Sequence, residues 1–352
     1  MGASNGRSAG APGGRRDGLG VASGNGGAGS ARRAGGAAGG SAHRALVSAL
    51  TTIADDDRVA RAQEAVREAS AELRWHEALR RRWREARAEA AIRGAIASGA
   101  IEGALVSAPE LRERVAAGGL DRPLSGDPSL DAVAGIWRAG ARLAGFMADL
   151  RGQSRPAEPS PRSLLTSLHR DIAGPLAASG AIGLDEVAVP RTALPGGTPS
   201  SGGTGSAGEP EALGAAPREG GPGPAPQGQA LAERLDALLA IIAAPGVPAL
   251  VRAAVVHGEM IAMRPFTAGN AALGRLLVRH LITRDGLEPT GVAVPDAYAR
   301  RAPGAYSDAA AAYARGDAEG VITWTVWQAE AILVGITEGA ELCRAIQAGR
   351  AE

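Results

Sequence analysis

From residue 59 to residue 103 the chain contains no proline, and its hydrophobic positions, mostly Ala with some Leu, Val and Ile, are interspersed with Arg and Glu. These residue types favour helix, so one long helix or two consecutive ones are predicted. The next apolar face joins Ile136, Ala139, Leu143, Phe146 and Leu150, with Asp127 or Ser129 available as the cap of that helix. "SPRSLLTSLHRDIAGPLA" predicts another, ended by Gly174-Pro175. Helices follow at 229–243 and at 247–263, where Pro248 suits a first turn. In "AALGRLLVRHLITRDG", Leu273, Leu276, Leu277 and Leu281 line one face and Gly286 terminates the helix. A last amphipathic helix is predicted from 317 to 347. Only "LDEVAVPRT", residues 184–192, alternates like a strand, and Pro190 restricts it to an edge. The expected fold class is all-α, with at most a short β-hairpin flap near 184–230.

Composition divides this pattern into regions. The 51 glycines and 22 prolines concentrate in 1–41 and in 195–228. These stretches read as a disordered low-complexity tail and a disordered surface insert. Between them lie an N-terminal helical region, 42–155, and a central domain, 160–310, that carries the insert. A C-terminal helical segment, 311–352, closes the chain. With 38 basic and 37 acidic residues the net charge is +1, so no global field attracts nucleic acid. All the basic residues are arginine, which fits the coding bias of a GC-rich genome. Cys343 is the only cysteine and excludes an intramolecular disulfide. No run of about 18 apolar residues predicts a membrane span, and residues 1–40 lack the apolar core of a secretory signal. A cytoplasmic location is expected. The basic cluster "LRRRWREAR", 79–87, suggests RNA or a membrane, but Glu77, Glu85 and Glu89 interleave with it and favour a solvated, ion-paired helix face. No metal-ligand spacing is present, and the glycine runs lie in the tail and insert.

The stretch "RPFTAGNAALGR", residues 264–275, stands apart from these regular helices. Gly269 allows a tight turn, and Asn270 is placed to cap a helix starting at Ala271. The first amides of such a helix are unpaired and suit an anion. Yet the stretch holds no acid, histidine or lysine, and a Gly-Asn pair by itself needs no role beyond capping.

Its surroundings add a resemblance. The twelve positions resemble the signature of the Fic/Doc (Fido) family: His, any residue, Phe, any residue, acid, Gly, Asn, Gly, Arg, two residues, Arg. Phe266, Gly269, Asn270 and Arg275 match it. Arg264, Ala268, Ala271 and Ala272 depart from it. The lead-in "PALVRAAVVHGEMIAMRPF" and the following "LLVRHLITRDGLEP" are also similar to the family. Far upstream, "SGAIEG" resembles its N-terminal inhibitory motif, which places Ser98, Glu102 and Gly103 in inhibitory positions. The likeness runs from about residue 75 to 335 and identifies 160–310 as a Fido domain.

The resemblance implies a protein adenylyltransferase that moves AMP from ATP to a protein hydroxyl. In the family the His is general base, the acid holds Mg²⁺, the Gly-Asn-Gly backbone forms an anion hole and the second Arg binds the γ-phosphate. The inhibitory Glu pairs with that Arg. Here Arg264 stands at the base position, and a guanidinium remains protonated. Ala268 offers no oxygen to a hard cation, Ala271 narrows the phosphate approach, and Ala272 removes one cationic contact. The expected state is therefore lost or altered catalysis, with residual nucleotide or phosphate binding by Arg264, Phe266, Gly269, Asn270 and Arg275. ATP is the candidate ligand, Mg²⁺ is doubtful, no metal ligand is identified, and the partner is a protein target. The alternative is a non-catalytic interaction or regulatory module. A Glu102–Arg275 contact is expected, and His257 and His280 read as packing histidines.

Overall fold

The computed structural model describes residues 44–117, 124–152, 156–193 and 224–350. The predicted tail and all but the last residues of the predicted insert lie outside them. The described residues are helical, without a strand. The proline-free stretch is not one or two helices but three: α2 (Asp57–Arg74), α3 (Glu77–Arg81) and α4 (Trp83–Ile101). His76 makes the first break, because its ring accepts the Ala78 amide and caps α3. A shorter helix, α1 (Arg44–Ala54), precedes them.

After α4 come α5 (Ala108–Ala116), opened by a Ser107/Glu110 capping box, and α6 (Pro128–Ala144). Asp127, not Ser129, caps α6, accepting from the amides of Ser129 and Leu130. That helix stops at Ala144, so the predicted continuation through Phe146 and Leu150 is corrected. Both side chains still pack on the core, from a turn. α7 (Pro161–Ala178) contains Pro175 instead of ending before it. It bends no apolar face out of register: Leu164, Leu168, Ile172 and Leu176 remain buried.

The predicted edge strand is also absent. Residues 184–193 form two 3₁₀ turns, Leu184–Glu186 and Arg191–Ala193. Ala188 sits at φ 62°, which breaks any extended run, and the Arg191 amide donates to the Pro265 carbonyl rather than to a ladder. Residues 224–228, assigned to the insert, lead directly into α8 (Gly228–Ala243). Pro248 immediately precedes α9 (Ala249–Met263) rather than lying in its first turn, and α10 (Asn270–Arg284) follows. Two helices then come without a sequence expectation, α11 (Asp296–Arg301) and α12 (Pro303–Ala314), before α13 (Ala318–Gln347).

The described residues from Ala45 onward form one compact unit. α9 and α10 pack side by side at its centre, α6 lies between α4 and α7, and α13 runs against α2, α4, α9, α11 and α12. By length and composition α13 could cross a membrane, but 61% of its apolar window is buried within the protein, as in a core helix. Trp324 on α13 is fully buried, donates to the Ala254 carbonyl of α9 at 2.6 Å, and stacks on Trp327. This packing sets α9, α10, α4 and α11 around one polar centre. The basic helix surface predicted to be ion-paired carries Arg80–Glu77 and Arg82–Glu85 pairs. Arg87 is the exception: it is buried and donates to the carbonyls of Thr290 and Ala148.

Candidate functional site

The polar centre is built on the C-terminus of α4. Gly103, at φ 89°, closes the helix: its amide donates to Ala100 and the Ala104 amide reaches back to Gly99. This double closure is the Schellman arrangement, which a glycine in the left-handed region permits. It fixes Glu102 as the last residue facing α10.

Arg275 of α10 comes to meet it. Its Nη2 donates to Glu102 Oε1 at 2.5 Å and to the Ser98 carbonyl at 3.3 Å, while Nε donates to Ser98 Oγ at 2.9 Å. Thus Ser98, Glu102, Gly103 and Arg275 are brought together, and the expected Glu102–Arg275 ion pair is present. A second carboxylate, absent from the sequence reading, joins them: Asp296 Oδ1 lies 3.3 Å from Arg275 Nε. Burial pushes the Asp296 carboxyl up from its ordinary range, with Arg275 acting against that shift. Burial disfavours the Arg275 charge too, but the Glu102 carboxylate and its neighbours outweigh it and raise the guanidinium above its ordinary value.

A chain of hydrogen bonds leads on from this cluster to α13. Arg275 Nη1 donates to the Tyr306 hydroxyl, 3.3 Å away. Tyr306 lies 3.1 Å from His257 Nε2, and His257 Nδ1 lies 2.8 Å from Gln328 Oε1. Gln328 Oε1 only accepts, so Nδ1 carries the His257 proton and Nε2 accepts from Tyr306. Burial holds the His257 pKa down to about 3 and pushes Tyr306 up to about 12. His257 is thus a packing residue, as is His280, which is buried 2.8 Å from Glu158.

The loop between α9 and α10 begins with Arg264 in the left-handed region, φ 45° and ψ 65°. Asn270 does not cap the following helix. It is the first residue of α10, and its side chain spans back to Phe266, accepting from that amide at 2.9 Å and donating to that carbonyl at 2.8 Å. Gly269, at φ 72°, takes the cap position, and the first intrahelical bond runs from the Leu273 amide to its carbonyl. The amides of Asn270, Ala271 and Ala272 therefore precede the helical ladder. Phe266 is buried and stacks on His169 with centroids 3.9 Å apart, so its side chain belongs to the core. Ala268 and Ala272 are buried as well, and Ala271 is half-buried.

Two further residues that sequence reasoning missed hold this loop. His169 of α7 accepts the Ala188 amide on Nδ1 at 2.9 Å, which leaves Nε2 to donate to the Ala268 carbonyl at 3.1 Å. Burial lowers its pKa to about 4. Arg191 donates from Nε to the Arg264 carbonyl at 2.7 Å and from Nη2 to the carbonyls of Met263 and Pro226 at 3.0 and 3.1 Å. An arginine and a histidine inside unremarkable sequence carry no local pattern that marks such long-range contacts.

The neutral histidines give a pH dependence. Both folded pKa values lie below the ordinary 6.5, so the unfolded chain binds more protons between 6.5 and 4. Their stabilising contribution is complete above pH 6.5 and is lost as pH falls. Urea unfolding should show about 2 kcal/mol lost per histidine between pH 6.5 and 5. The raised Asp296 and Glu288 carboxyls act with opposite sign, so the slope is isolated by comparison: His257→Gln should flatten it. An unchanged slope in that variant would contradict the neutral His257.

Comparison with known proteins separates fold from sequence. No protein-family model matches the chain, and no curated protein matches it in sequence. Solved structures do. Over 83% of this chain and 74% of its own, Fic-1 from C. elegans superposes with a TM-score of 0.51 at 17% identity. A single-substitution form of Fic-1 gives 0.50 at 18% identity, over 79% and 72% of the two chains. A Fic family protein from Desulfovibrio desulfuricans is similar over 72% of this chain and 66% of its own, at 18% identity and a TM-score of 0.48. The helical arrangement of this chain is that of the Fic fold.

Proposed function

We propose that this protein has lost AMP transfer and keeps, in a closed form, the phosphate-binding position of its loop. The observation that carries this reading is the contrast within residues 264–275. Arg264, Ala268, Ala271 and Ala272 stand where base, metal ligand, phosphate cradle and first cation are expected, whereas Arg275 keeps its place and is held by Glu102 at 2.5 Å. A guanidinium at position 264 cannot take a proton from an attacking hydroxyl, and such general-base help is commonly worth about 10²–10⁴-fold. The alanine at 268 gives no side-chain oxygen to Mg²⁺. What remains suited to a phosphate is the set of first-turn amides of α10 together with Arg275. ATP is the candidate ligand, bound without a metal.

The test is transfer of label from α-labelled ATP, with Mg²⁺ or Mn²⁺, to the chain itself and to proteins of a cell lysate. No transfer above background is expected. Label that appears with the unmodified protein and disappears in Arg275→Ala would overturn the reading. A second reading, an interaction or regulatory module that binds no nucleotide, is favoured by two observations: Asn270 spends its side chain on Phe266, and Arg275 is 5% exposed. Absence of ATP binding after Arg275 has been released would select it.

A further inference from the structure

Residues 184–193 cross the loop without contributing to the core. None of the side chains from 184 to 192 is buried, and Leu184 is 79% exposed. The segment is fixed instead by polar contacts with the loop and its surroundings. Thr267 Oγ1 donates to Glu186 Oε1 at 3.1 Å, the Ala188 amide donates to His169, and the Arg191 amide donates to Pro265 at 2.8 Å. The Arg191 guanidinium adds its contacts to Met263, Arg264 and Pro226. The fork thus collects carbonyls from both sides of the segment, which a planar guanidinium does and an ammonium does not.

Backbone strain coincides with these contacts. Among the described residues only two non-glycine positions have positive φ, Ala188 at 62° and Arg264 at 45°. One donates its amide to His169, and the other accepts Arg191 on its carbonyl. Such conformations persist where surrounding contacts over-determine them. A segment with a strained residue at its middle, a strained partner turn and no buried side chain from 184 to 192 belongs to the part of a protein that opens locally, at lower free energy than the helical core.

We propose that residues 184–193 are a strap across the loop, latched by Arg191, that opens separately from the helical core. Opening withdraws Ala188 from His169 and the fork from the Arg264 turn, and so uncovers the loop. The strap deepens the closed-site reading above by adding a closure independent of Glu102. Its test needs no nucleotide, so its outcome is separate from that reading.

The experiment is amide hydrogen exchange on the full chain, wild type against Arg191→Ala and Arg191→Lys. His169, fully buried in the closed form, is probed in parallel with diethylpyrocarbonate and mass mapping. In Arg191→Ala the amides of residues 188 and 191 should exchange roughly tenfold faster or more, since hydrogen bonds to a charged donor are lost. His169 should become modifiable, while the amides of 276–282 in α10 keep their protection. Arg191→Lys, limited to a point charge, should fall between the two. Unchanged exchange at 188 and 191 in Arg191→Ala overturns the latch. Wild-type exchange in Arg191→Lys overturns the role of the fork. Equal loss of protection across α9 and α10 overturns a separately opening strap.

Discussion

Arg275→Ala should be among the most destabilising single changes in this chain, lowering unfolding free energy by about 3–5 kcal/mol. The side chain is 4% exposed and is the common partner of Glu102, Asp296, Ser98 and Tyr306. Its removal leaves two largely buried carboxylates near one another without a cation between them. For Asp296, whose carboxyl burial already raises and Arg275 holds down, loss of the guanidinium raises it further. A raised carboxyl stabilises the fold below its unfolded pKa, near 4, and loses that contribution as pH climbs. The deficit of the variant relative to wild type should therefore be smaller at pH 5 than at pH 8 in urea titrations. A deficit of under 1 kcal/mol, or one independent of pH, would show that Arg275 is not the counterion of this centre.

The parts of this centre differ in how plainly the sequence announces them, and the reason is distance along the chain. Glu102 and Arg275 sit in two short patterns, "SGAIEG" and "GNAALGR", whose residue order survives even where the chemistry does not. Gly103 is legible for the same reason, since a glycine after an amphipathic run is a helix stop. Asp296 is not: it lies on α11, a helix without a sequence expectation, and meets Arg275 only when α11 packs against α4. Tyr306, His169 and Arg191 belong to no pattern and acquire their contacts only when α12, α7 and residues 184–193 pack together. The helices themselves follow the apolar period closely from α8 to α10. They depart from it where a side chain intervenes: His76 divides the long N-terminal run by capping α3. The strand expected at 184–192 fails because alternation specifies a strand only when a partner edge exists. This segment gives its amides to His169 and Pro265 instead.

Asp296 changes what loss of Glu102 should do. If Glu102 alone held Arg275, Glu102→Gly would free the guanidinium for a phosphate. Here Asp296 remains 3.3 Å from Arg275 Nε, and Ser98 Oγ keeps its bond to the same nitrogen. With Glu102 gone, Asp296 is the carboxylate that still faces Arg275. In calorimetric titration without metal, Glu102→Gly should bind ATP no better than about millimolar, near −4 kcal/mol. Glu102→Gly with Asp296→Asn should reach the micromolar range, roughly 4 kcal/mol tighter, because the amide cannot pair with the guanidinium as an anion does. Adding Arg275→Ala to that double variant should abolish the gain. Micromolar binding by Glu102→Gly alone would show that Asp296 is no second clamp. No binding by the double variant, if it remains folded by circular dichroism, would leave the Fic loop of this protein without a nucleotide and favour an interaction module built on the same helices.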